Sequence, residues 1–179
     1  YYLGLAEAAV PRLRGPEQLR WLDWLEADHD NLRAACAWFL ASGQIEEELR
    51  LAGALHWFWN RRGYLDEGRA RIQAALDAAA NVAAPTDSLL RARAWALIGA
   101  AALAFDQGDR AAVAAFAEES AALFRQQGDS RGLMLALLRL AFARSASEPQ
   151  RARDLLTEAI AHARAEGDPW FVGLALFIS

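Results

Sequence analysis

Lysine is missing from this chain, and all 19 basic residues are arginine. A phosphate-cradling loop needs a glycine-rich run that opens a helix and supplies a lysine, so P-loop ATP hydrolysis has no place here. Cysteine occurs once, at Cys36, which excludes an internal disulfide and a cysteine zinc cluster. Cys36 lies on an apolar helical stretch with Leu32 and Phe39 and reads as a small buried hydrophobe. The three histidines, His29, His56 and His162, are far apart, and none forms the i, i+4 pair with a central Glu that a helical metal site requires. Neither metal nor cofactor is expected. Only five prolines occur, and β-branched residues never alternate with polar ones over strand length, which argues against strands. No apolar run approaches the ~20 residues of a membrane span, and no signal-peptide pattern is visible; the expected setting is cytoplasmic. The net charge of −4 makes the chain a poor grip for a phosphate backbone, so direct contact with nucleic acid is not expected.

What remains is a helical sequence with ample material for a core. At 179 residues a chain buries roughly 70% of its unfolded surface, and the 55% hydrophobic content excludes disorder. The spacing predicts helices over Tyr1–Leu13, Pro16–Ala41, Ile45–Arg62, Leu65–Ala80, Asp87–Gln107, Arg110–Gln127, Ser130–Ser145 and Pro149–Ala165, with another starting near Pro169. Gly15, Gly43, Gly63, Gly108, Gly128 and Gly167 each follow an apolar segment, where glycine can take the left-handed C-terminal conformation. Pro16 and Pro149 suit a first helical turn, and Asp87, Asp109 and Asp129 are candidate N-terminal caps. Short connections make successive helices antiparallel. The longer one, Asn81–Thr86 with Pro85, is expected to separate two halves.

An alanine-rich helix pair closes at Gly128-Asp129 and again at Gly167-Asp168, a period of about 39 residues that belongs to stacked helix pairs. The pattern resembles tetratricopeptide repeats. Aligned on the turn glycine, Leu55, Trp59, Gly68, Ile72 and Ala75 fill the interface positions of one pair. Leu97, Ala101, Val113, Ala117 and Ser120 fill those of the next, and Ala136, Ala143, Ala152, Leu156 and Ala159 those of a third, where Ser147 replaces the glycine. A second resemblance covers Trp21–Trp38. It is similar to the segment opening the repeat region of large bacterial LuxR and SARP-like transcriptional regulators, which carry a signal-transducing (STAND-type) ATPase and a winged helix upstream. Tyr1-Tyr2-Leu3 and Leu123–Asp129 match that style. The resemblance implies an all-α chain stacked as a right-handed superhelix. Residues 1–43 link to the upstream region, and repeats run over 44–82, 87–128, 130–167 and the start of another at 168–179. The chain then reads as a piece of a larger protein, with the ATPase domain as an intramolecular partner.

In such arrays the first helix of each pair lines a concave groove. Carried over, this assigns Arg50, Gly53, Trp57, Asn60 and Arg61 from the first pair, and Trp95, Ile98, Ala102, Phe105 and Asp106 from the second. Met134, Leu137, Ala141, Arg144 and Ser145 follow from the third. The groove would suit stacking and hydrogen bonding to a sugar, peptide or other amphipathic ligand, or a protein partner. The bland reading is that Trp57 and Trp95 pack on neighbouring repeats. The run His56-Trp57-Phe58-Trp59 supports outward-facing rings, because successive helical residues turn about 100° and cannot share one stripe. Carboxylate runs Glu46-Glu47-Glu48 and Glu118-Glu119 read as solvated faces. An enzymatic reading would rest on His29 and its flanking aspartates alone, residues that serve equally to anchor a helix bend. The expected role is a non-catalytic ligand-sensing or interaction module, with an autoinhibitory or oligomerisation scaffold as the alternative. Exposed terminal helices such as Trp170–Ile178 offer a homodimer contact.

Overall fold

The computed structural model describes residues 1–167, and among these every regular element is helical. The α-helices are α1 (Tyr2–Ala9), α2 (Gln18–Ala27), α3 (His29–Ala41), α4 (Ile45–Arg62), α5 (Leu65–Ala80), α6 (Asp87–Asp106), α7 (Arg110–Gln127), α8 (Ser130–Arg144) and α9 (Pro149–Ala165); a 3₁₀ turn at Arg12–Arg14 follows α1. Consecutive helices from α4 to α9 pack on one another, and α4 also lies along α6. Neighbouring first helices of the pairs therefore touch.

The ends show how local chemistry sets these boundaries. Gly63 closes α4 with φ +80°, and Gly128 closes α7 with φ +65°, conformations that cost a residue with a Cβ. The side chains of Asp109 and Asp129 accept from the Ala112 and Gly132 N–H groups at 3.0 and 2.9 Å, capping α7 and α8. Four expectations are corrected. Gly15 is extended rather than left-handed; Thr86, not Asp87, caps α6, accepting from the Leu89 N–H at 3.1 Å. Pro16 precedes a helix that begins only at Gln18. The expected Pro16–Ala41 helix is broken at Asp28, whose carboxylate accepts from the Asn31 amide at 2.9 Å and holds the bend.

All fifteen interface positions inferred from the repeat pattern are buried. The tightest approach is at Gly68 on α5, where an added Cβ would lie 2.7 Å from the Trp59 ring and 2.9 Å from Leu103. The Trp59 atoms belong to a rigid fused ring, although the Leu103 contact is a terminal methyl group. Gly68→Ala is therefore expected to cost about 1–3 kcal/mol and to lower the melting temperature by several degrees. A thermal scan of the variant checks this; an unchanged midpoint would mean that the α4–α5 interface gives way freely.

The segment Asn81–Thr86 does not interrupt the packing. One core runs from Leu5 on α1 through Leu55, Trp59 and Ile72 to Leu103 on α6, while a second gathers Ile98, Phe124, Met134 and Leu156. Helix α6 belongs to both. Flanked by α4, α5 and α7, it is apolar on nearly every face and has lost amphipathic periodicity. By length and composition it could cross a membrane, yet 67% of that stretch is buried inside the fold, which is how a central core helix reads. The expected helix near Pro169 and the contact through Trp170–Ile178 lie outside the described residues.

Candidate functional site

The first helices α4, α6 and α8 present successive faces to one concavity, and α1 with the Arg12–Arg14 turn closes its end. The result is a cavity of about 770 Å³, within the range of small-molecule sites. Its wall follows helical spacing: Glu46, Arg50 and Ala54 on α4, Arg91, Trp95 and Ile98 on α6, and Arg131, Leu135 and Arg139 on α8. Glu7, Val10, Pro11 and Arg14 supply the side nearest α1.

Of the groove residues assigned from sequence, Arg50 and Trp95 line this cavity, as do Gly53 and Ile98. Arg50 pairs with Glu7 at 2.7 Å, tying α4 to α1, and Trp95 rests edge-on against Phe124 with ring centroids 5.1 Å apart. Trp57 is half-buried between two guanidiniums, those of Arg14 at 4.9 Å and Arg61 at 4.7 Å from the ring. Asn60 donates to Asp106, so the two satisfy each other across the α4–α6 seam. Phe105 is 43% exposed and packs edge-on against Phe142, outside the cavity wall.

Two assignments on α8 are corrected. Met134 is only 1% exposed and belongs to the second core. Arg144 pairs instead with Glu118 and Glu148, at 3.5 and 2.8 Å. Leu137 and Ala141 are buried as well; on α6 Ala102 is also buried, although its pair keeps the turn glycine Gly108. On α8 the cause lies in the turn. Without a left-handed glycine, the α8–α9 connection runs through Ser145–Glu148, held by the Ser147 and Glu148 N–H groups donating to the Arg144 carbonyl at 3.2 and 2.8 Å. An alignment that places Ser147 on the turn glycine is then out by one residue, which rotates the inferred face by about 100°. The residues on that wall are Arg131, Leu135 and Arg139. Their i, i+4, i+8 spacing was visible in the sequence, as was Arg91 one turn before Trp95.

Buried ionisable groups cluster at two places. Glu48 is 0% exposed, and both carboxylate oxygens lack a hydrogen-bond partner among the described residues. It is the member of Glu46-Glu47-Glu48 that faces inward, one turn before Ala52, so the solvated reading fails for it. Burial pushes its carboxyl up to about 8, while the adjacent Cys36 thiol and the Arg71 guanidinium pull weakly the other way. The Cys36 thiol is itself pushed up, by burial first and by Glu48 next, which leaves it an inert core residue.

His29 is buried at the start of α3 between Phe58 and Tyr64, with ring centroids 5.1 and 4.4 Å away. Its Nε2 lies 3.4 Å from Glu67, a carboxylate held below its usual range chiefly by its hydrogen bonds from Arg33 at 2.7 and 2.5 Å. Asp28 is bonded to Asn31 and Asp30 to Arg33, so neither flanking aspartate orients the imidazole. Among the described residues no group of three or more His, Cys, Asp or Glu could hold a metal ion.

The chain is 31% identical over 172 residues to provisionally named HTH-type transcriptional regulators of Mycobacterium tuberculosis strains H37Rv and CDC 1551 and of Mycobacterium bovis AF2122/97. The alignment takes in 95% of this chain and 19% of each relative, so the chain spans about a fifth of the length of these curated relatives. No protein-family model matches the chain, and no solved structure matches it.

Proposed function

We propose that this chain is a non-catalytic, ligand-sensing segment of a cytoplasmic bacterial transcriptional regulator, built as a tetratricopeptide-like array that biases an attached ATPase and DNA-binding region of the LuxR-like, STAND type. The observation that carries this reading is the cavity. It is walled by the first helices of three consecutive pairs, so a ligand there touches α4, α6 and α8 together and favours one arrangement of the array over another. The similarity to transcriptional regulators over nearly the whole chain supports the regulatory half of the reading.

A rival scaffold without a small-molecule ligand draws on Trp24 and Trp38, which stand 44% and 56% exposed on α2 and α3 and could pack against the remainder of a longer protein. A reporter assay on the full-length regulator separates the two. Trp95→Ala is expected to abolish the induced response across a panel of growth conditions while basal transcription persists. If Trp95→Ala responds like wild type and deletion of residues 44–179 makes transcription constitutive, the scaffold reading replaces the sensor.

A further inference from the structure

We propose that the cavity binds a phosphorylated small molecule with a planar body, of nucleotide type, and that Arg14, Arg131 and Arg139 hold its phosphates. The proposal rests on the sensor reading for its regulatory meaning and on the cavity's charge for its chemistry. Five guanidiniums line the wall against two carboxylates, and His56 is neutral, so the site carries a net positive charge inside an acidic protein. Both carboxylates are engaged, Glu7 by Arg50 and Glu46 by the Ser88 hydroxyl. Arg14, Arg91, Arg131 and Arg139 have no carboxylate partner among the described residues, and the cavity brings these four to one wall.

Unpaired guanidiniums beside one another are unfavourable in an empty site. Burial pushes Arg139 down to about 10, with Arg14 adding repulsion, and Arg14 is pushed down by burial and then by Arg131. The Nε of Arg139 is buried without an acceptor among the described residues. A polyanion relieves the repulsion among these cations, and the guanidinium fork matches phosphate oxygens in pairs.

The rest of the wall selects the body of the ligand. Trp95 supplies a ring for stacking, with Ile98 and Leu135 beside it. His56 donates through Nδ1 to the Gly53 carbonyl at 2.7 Å, and its Nε2 is buried with no partner among the described residues. Burial holds this imidazole down at about 4, the Gly53 hydrogen bond opposing and Arg139 and Arg14 reinforcing the shift.

The test is calorimetric titration of the 179-residue chain with ATP, inorganic tripolyphosphate and adenosine at low and moderate salt. ATP is expected to saturate a single site, tripolyphosphate to bind more weakly, and adenosine at least about tenfold more weakly than ATP, with ATP affinity falling as salt rises. Arg131→Gln and Arg139→Met are each expected to weaken ATP by roughly tenfold or more, while Arg153→Gln on α9 leaves it unchanged. Arg131 is exposed in the first turn of α8, so its variant keeps the test sound should Arg139→Met fail to fold. Equal ATP affinity in all three variants, or no binding of either phosphate at low salt, overturns the proposal. Adenosine binding as tightly as ATP overturns the phosphate assignment and leaves the sensor reading standing. Conversely, ATP binding as expected with a reporter indifferent to Trp95→Ala defeats the sensor reading alone.

Discussion

Glu48→Gln is expected to raise stability by roughly 2–4 kcal/mol near pH 8 and to leave it little changed near pH 4.5. In the folded chain the Glu48 carboxyl keeps its proton up to about 8, because ionising it inside the core forfeits hydration that the Cys36 thiol and Arg71 do not make good. In the unfolded chain it ionises at the ordinary value near 4.3. A raised folded-state value means that Glu48 stabilises fully below about 4.3 and that this contribution is lost as pH rises towards 8. Glutamine has the same shape and never ionises, so the variant escapes the loss. Groups held low in the fold, such as Glu67 beside Arg33 and Asp109 at the α7 cap, produce the opposite slope, but they do so equally in both proteins and cancel in the difference. Urea denaturation of both proteins from pH 4.5 to 8.5 measures that difference. Parallel stability curves would show that Glu48 takes up no proton on folding in this window.

Trp59→Ala is expected to cost about 3–5 kcal/mol, enough to unfold much of the population of a marginally stable domain. The ring is 2% exposed, sits at the α4–α5 crossing and fills the space that Gly68 leaves open. The two positions are therefore coupled. Gly68→Ala, costly in the wild type, should cost far less in the Trp59→Ala background, where the new methyl group meets a void rather than a ring. A double-mutant cycle reads the coupling directly; additive losses would mean that the glycine is not there for the tryptophan. The loss with Trp59→Ala should also exceed that with Trp57→Ala, whose ring is only half-buried between Arg14 and Arg61.

Helix periodicity, turn glycines and cap residues were legible because each depends on residues within one or two turns of itself. Ile45–Arg62, Leu65–Ala80, Arg110–Gln127 and Pro149–Ala165 coincide with the observed helices for that reason. The small and large interface positions were legible as well, since close helix crossings demand Gly or Ala at fixed offsets, and Gly68 and Ala117 are buried accordingly. Where the local signal was absent, inference slipped. A missing turn glycine at Ser147 displaced the α8 face by one residue, and a break at Asp28 was hidden inside a continuous apolar pattern.

Local chemistry is enough to make this protein helical, to set its turns and to pair its helices, because backbone propensity and short connections depend on near neighbours in the chain. Tertiary structure alone decided which side chains share a cavity. Arg14, Arg91, Arg131 and Arg139 are scattered over the chain and each, taken singly, reads as ordinary surface charge. Only the stacking of α4, α6 and α8 under α1 gathers them around one space without their counter-ions, and charge density is a property of that space rather than of any segment. The same holds for Glu48, indistinguishable from Glu46 and Glu47 in sequence until α4 settles against its neighbours and turns one carboxylate of the three into the core.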